Sequence, residues 1–143
     1  MKNRNIDHKN DWATPDYILD PLYEEFGSMF DPCPIYHNIS DWDGLVIDWG
    51  EVNFINPPYS QKLKTAFVKK AIKESCKGKT CVMLLPVSTS TVLFHDHILL
   101  NNPEIRFVKK RIKFIGVNTK GEYVHNKCGM HDSMIVIFRG GKK

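Results

Sequence analysis

The stretch TCVMLLP, residues 80–86, is apolar at every position after its first. A strand without polar alternation must be covered on both faces, so this run predicts a central strand. An amphipathic stretch precedes it. Leu63, Phe67 and Ala71 share one helical face, and Val68 and Ile72 widen that stripe. Before that lies VNFIN, a second strand. Strand, helix and strand in this order point to an α/β sheet with short β-rich extensions.

The remaining segments are read against that centre. WATPDYILDPLYEEFG predicts helix, with Thr14 as cap and Pro15 at the first helical position. Pro21 suggests a second start capped by Asp20, and Gly27 is a natural stop. SMFDPCP reads as a short strand ending on Asp31. Residues 35–47 are polar and irregular. Ser60 can cap the helix that Gly78 ends. Thr89 or Ser90 can cap a further helix carrying Val92, Leu93, Phe94, Ile98 and Leu99. EIRFV, RIKFIG and SMIVIF are strand candidates, and NTKG at 118–121 is turn-like.

A length of 143 residues suits one compact domain. Residues 1–10 read as a polar arm and residues 11–143 as the domain. The arm has no apolar core of a signal peptide, and no run approaches a membrane span. The expectation is a cytoplasmic protein, in the host cytoplasm if a phage encodes it, with no membrane partner. The net charge of +4 permits a nucleic-acid partner without demanding one. The four cysteines show no C-x-x-C spacing and complete no zinc pattern with His125 or His131. Asp41, Asp43 and Asp48 are better read as turn formers than as metal ligands. No metal is expected, and the thiols are expected to be reduced and mostly buried.

The chemistry concentrates in VNFINPPYSQ. Ligands of open α/β sheets sit at the carboxyl ends of strands, where Asn56 and Asp31 both fall. An exocyclic amine conjugated to a ring is a poor nucleophile because its lone pair is delocalised. Two acceptors aimed at its hydrogens favour the pyramidal form. The Asn56 side-chain oxygen supplies one, and the Pro57 carbonyl, held by a fixed φ, can supply the other. Tyr59 offers a flat face, and stacking a nucleobase contributes on the order of 1–3 kcal/mol. No strong base is needed, because the amine becomes acidic once alkylated. A plain proline turn with a buried tyrosine is the alternative reading of these residues.

INPPYS resembles the catalytic motif of amino-group methyltransferases that use S-adenosylmethionine. The wider pattern of DWATPDYILDPLYEEFG, FDPCP, DGLVIDWGEVNFINPPYS and VMLLPVSTST is similar to compact phage-type (Dam-like) DNA N6-adenine methyltransferases. It spans about residues 11–138. The resemblance implies a three-layer, Rossmann-like methyltransferase fold in reduced form, with a mostly parallel sheet. It implies methyl transfer from S-adenosylmethionine to the N6 amine of adenine in DNA. Asn56, Pro57, Pro58 and Tyr59 would hold the adenine. Trp12, Thr14, Pro15, Asp31, Cys33, Pro34 and Asp43 would line the cofactor site, with Asp31 at its methionine end and Asp43 at its adenine. Ser60, Lys62 and Lys113 are candidate DNA contacts. The family also suggests a role in protecting mobile DNA from restriction.

One departure stands out. Larger methyltransferases carry a glycine-rich loop after the first strand, whereas DPCPIYHN has no glycine. Two other functions fit the same motif. One is methylation of RNA adenine or protein glutamine. The other is a catalytically inactive DNA-binding relative. KKRIKF, at 109–114, reads equally as a phosphate-contacting cluster or as an edge strand guarded by lysines. A chain this short leaves little room for a separate recognition domain, so loose sequence specificity is expected. Oligomeric state is not legible.

Overall fold

The structure is a computed structural model and describes residues 13–34, 37–117, 123–125 and 131–140. Helix α1 (Asp16–Phe26) comes first, followed by strand β1 (Val52–Ile55), helix α2 (Gln61–Ser75) and strand β2 (Thr80–Pro86). A wide π-type helix (Leu93–Ile98) runs into a 3-10 turn (Leu99–Asn101). Strands β3 (Glu104–Phe107), β4 (Ile115–Val117), β5 (Tyr123–His125) and β6 (Ser133–Phe138) complete the order.

The main sheet runs β1-β2-β6-β3, and β4 and β5 form a separate ribbon. The expected central strand is central. Cys81, Met83 and Leu85 of β2 point to one face, with Val68 and Phe67 of α2 and Phe94 of the π-type helix. Val82 and Leu84 point to the other, with Leu22 of α1. Strand β6 alternates in the same way, so both faces of the sheet are covered and the continuous apolar run is explained.

The sheet is mixed, which corrects the expectation of a mostly parallel one. Strand β1 pairs with β2 in parallel, but β6 is antiparallel to both β2 and β3. The physical reason lies in the connections. Helix α2 crosses between β1 and β2 and restores their direction. No described helix lies between β3 and β6, so the chain returns in reverse.

Other local expectations also shift. Helix α1 is continuous through Pro21, with no second start. The proline orphans only the carbonyl of Tyr17, a residue 60% exposed that water can serve. Leu22 meanwhile holds the helix to the sheet. Pro15 takes the cap position, and Thr14 provides no side-chain cap. SMFDPCP is reduced to one parallel bridge, Phe30 to Asn53. In RIKFIG only Ile115 and Gly116 enter a strand, and residues 109–114 are irregular. Thr91, not Thr89 or Ser90, caps the π-type helix by accepting from Phe94 N–H at 3.1 Å. Ser60 caps α2 as expected, accepting from Leu63 N–H at 3.2 Å. Gly27 ends α1 at φ 78°. Among the described cysteines only Cys81 is buried. Cys33 is half-buried and Cys76 exposed, so the thiols are not mostly buried.

Candidate active site

The site forms where β1 ends. The Phe30 N–H donates to the Val52 carbonyl, and the Phe54 N–H donates to the Phe30 carbonyl, at 2.8 and 2.9 Å. This single bridge suffices to bring the Asp31 turn beside Asn56. The Cys33 N–H donates to Asp31 Oδ1 at 2.9 Å, which closes the turn. The Cys33 thiol donates to the Asn56 backbone carbonyl at 3.4 Å. Asp31 and Asn56, 25 positions apart in the chain, are thus linked through one cysteine.

A second segment reaches Asn56 from the other side. Its side-chain Nδ2 donates to Thr14 Oγ1 at 3.1 Å. Thr14 is held on both flanks. Ala13 pairs with Ile115 in an antiparallel bridge, and Pro15 starts α1 with its carbonyl accepting from Ile18 N–H. The ring of Tyr59 meets Phe114 edge-on, with centroids 6.2 Å apart. Phe114 precedes Ile115, so the tyrosine and Thr14 are braced by neighbouring residues.

Asp31 is open to solvent yet crowded by protein on most sides. Burial pushes its carboxyl up to about 6, against the lowering effects of the Cys33 N–H and of His37. Its negative charge is under-solvated, which favours a cationic partner. Pro57 and Pro58 are buried, while Tyr59 keeps 36% of its surface exposed. Burial pushes the Tyr59 phenol up to about 12, so it stays neutral at physiological pH.

A glycine outside DPCPIYHN packs against that turn. A Cβ on Gly44 would lie 1.8 Å from the Pro32 carbonyl oxygen. Only glycine lets the 43–47 turn seat itself on the Asp31–Pro34 turn. Asp43 forms that turn, its Oδ1 accepting from Leu45 N–H at 2.9 Å. A glycine next to an Asx turn was the available signal, and reading only the residues after Asp31 missed it.

Pro34 is half-buried in the Asp31 turn. Ser60 is committed to capping α2. Lys62 is exposed on the first turn of that helix. Lys113 is exposed, and its backbone N–H donates to the Tyr17 hydroxyl at 3.3 Å. Trp12, the 1–10 arm, the turn at 118–121, Asn126, Lys127 and Cys128 lie outside the described residues. Lys64 went unnoticed in the sequence. It lines a crevice with Gln61, Pro86, Ser88, Thr91 and Phe94, and burial lowers its pKa. Among the described residues, no three His, Cys, Asp or Glu side chains cluster as a metal site needs. No described helix is long and apolar enough to cross a membrane.

The arrangement offers a carboxylate suited to a cation, a carboxamide beside it and an aromatic face with one side open. No curated protein and no solved structure matches the chain. The family described as DNA N-6-adenine-methyltransferase (Dam) matches over residues 2–143. With nearly the whole length matched, the chain belongs to the Dam family of DNA N6-adenine methyltransferases.

Proposed function

We propose that the protein transfers a methyl group from S-adenosylmethionine to the N6 amine of adenine in DNA, with the amine held at Asn56 and Pro57. The observation that carries this reading is the direct contact chain from Asp31 through Cys33 to Asn56. It puts the cation-seeking carboxylate next to the motif that would hold the amine.

The donor fits the residues present. Asp31, crowded and under-solvated, suits the ammonium end of an amino acid. Cys33, Pro34 and the Asp43 turn adjoin Asp31 and would line the cofactor. When bound, S-adenosylmethionine supplies an electrophilic methyl group on a sulfonium sulfur. The chain's own residues prepare the acceptor. The Asn56 oxygen and the Pro57 carbonyl each accept one N6 hydrogen, and the nitrogen lone pair leaves conjugation with the ring. Buried prolines on a strand end hold these acceptors in place before substrate arrives, so little reorganisation is needed. Tyr59, braced by Phe114, stacks on the adenine after it leaves the duplex. The alkylated nitrogen is acidic and loses its proton to water.

Lys109, Lys110 and Lys113 support DNA as the acceptor. They are exposed on the irregular segment that ends in Phe114, next to Tyr59. That segment is not a strand, so guarding a sheet edge does not account for its lysines. Lys62 lies at the start of α2, immediately after the motif.

The test is transfer of labelled methyl groups to unmethylated DNA, followed by nucleoside analysis. Wild type should yield N6-methyladenine. Asn56→Ala should lose roughly 100-fold or more of the rate, the scale of a lost preorganised electrostatic contact, while still binding S-adenosylmethionine. Label in RNA or in protein glutamine, with none in DNA, would refute the assignment.

A further inference from the structure

The carboxamide of Asn56 has two ends of opposite character, and only one serves the proposed chemistry. Its oxygen must face the N6 hydrogens. A reversed amide would set donor against donor and hold the amine away. Some group must therefore fix which end points inward.

Strand β1 contains an internal comparison. Asn53, fully buried, has both ends tied to backbone. Its Oδ1 accepts from Gly50 N–H at 2.8 Å, and its Nδ2 donates to the Gly50 carbonyl at 2.9 Å. Three residues on, the Nδ2 of Asn56 is bound instead by a side chain, Thr14 Oγ1, from 42 positions away. That hydroxyl makes no side-chain cap at the start of α1. Its backbone is held between the Ala13–Ile115 bridge and Pro15.

We propose that Thr14 is a positioning residue for methyl transfer: its hydroxyl oxygen accepts from Asn56 Nδ2 and thereby turns the Asn56 oxygen toward the substrate amine. This rests on the function proposed above. Within the opening segment, the Thr14 hydroxyl is then the group that acts on Asn56. Serine can replace threonine, and valine, of the same shape, cannot.

The test compares Thr14→Val and Thr14→Ser with wild type, measuring kcat, the KM for DNA, the Kd for S-adenosylmethionine and the melting temperature. Thr14→Val should lower kcat roughly tenfold, the factor expected for losing one partly buried hydrogen bond. The KM for DNA should stay within about twofold on the same argument, and any change in the Kd for S-adenosylmethionine should be smaller than the change in kcat, since the bond orients rather than binds. Thr14→Ser should restore most of kcat. An unchanged kcat in Thr14→Val overturns the inference. So does a Thr14→Ser variant as slow as Thr14→Val, or a loss confined to cofactor affinity. The Asn56 side-chain NH2 resonances report the same contact without turnover. They should move in Thr14→Val and hold in Thr14→Ser, and resonances unmoved by valine would also sink the idea. Failure of wild type to methylate adenine would instead count against the proposed function, and the resonances would still decide the contact.

Discussion

Glu74 and Asp31 lie at opposite ends of the β1–β2 pair, and the two carboxylates are treated oppositely. At the amino end, Glu74 is fully buried. Burial alone would raise its pKa. Lys77 and Lys79, both at 2.8 Å, the Trp49 N–H at 2.9 Å and Lys70 outweigh it, and the carboxyl is held well below its usual range. At the carboxyl end, Asp31 is more open, yet its pKa rises to about 6. One backbone N–H and the more distant His37 do not match the cost of crowding. A structural carboxylate is surrounded by partners from its own chain. Asp31 is left short of positive charge, as expected of the carboxylate that the proposed function assigns to the cofactor.

Disrupting the structural end should have the largest effect on stability. Glu74→Ala leaves three lysines without their shared partner and the Trp49 N–H unpaired. A loss of about 3 kcal/mol is expected in urea unfolding, with the rate per folded molecule unchanged. The pH dependence has a definite sign. With the folded pKa depressed, Glu74 contributes its full stabilisation above the ordinary carboxylate value of 4.5. That contribution is lost as pH falls toward the folded value. Glu74→Gln should remove this acid sensitivity. A matching loss of turnover would break the comparison, because the amino end would then serve the chemistry too.

The support beneath Asp31 is a smaller target. Gly44→Ala forces a Cβ into the Pro32 carbonyl, so the turn must move. About 1–3 kcal/mol of stability should go, the usual cost of overpacking, with cofactor affinity falling in parallel. Unchanged affinity would separate the 43–47 turn from the cofactor site.

Asp31 itself should affect binding more than stability. Affinity for S-adenosylmethionine should rise as pH increases through about 6, where the carboxyl gains its charge. Asp31→Asn should flatten that profile and weaken binding roughly tenfold, about one charge-assisted hydrogen bond. The free protein should behave inversely. A raised folded pKa means stability falls as pH climbs from 3.8 to about 6, and the asparagine variant should lose that slope. The smallest effect belongs to the surface. Lys113→Ala should reduce the salt slope of DNA binding by about one unit and leave cofactor affinity alone. An unchanged slope would remove Lys113 from the DNA path.

Much of this was legible from residue order. The β2 run, the Ser60 cap and the α2 stripe are local patterns, and the structure keeps all three. The Asn-Pro-Pro-Tyr element stands at a strand end, where the sequence put it. Less legible was anything resting on partners far along the chain. Glu74 is one more acid on a lysine-rich helix by its neighbours, and nothing nearby in sequence announces that Trp49 and Lys79 will close over it. Thr14 looked like a cap because Ser or Thr before a helix usually is one. The basic segment 109–114 looked like a strand because Ile112 and Phe114 alternate with charged residues. That alternation records burial of two side chains, 1% and 6% exposed, without any ladder.

The sequence by itself determined β1, α2 and β2, since periodicity and capping act over a few residues and depend only on neighbours. It also determined where the reactive motif stands, because a strand that ends in two prolines cannot continue. Only the tertiary structure decided that β6 runs against its neighbours, that Gly44 seats its turn against Pro32, and that Thr14 meets Asn56. Those outcomes depend on which distant surfaces bury each other. That competition is settled by packing over the whole core, and no local window contains it.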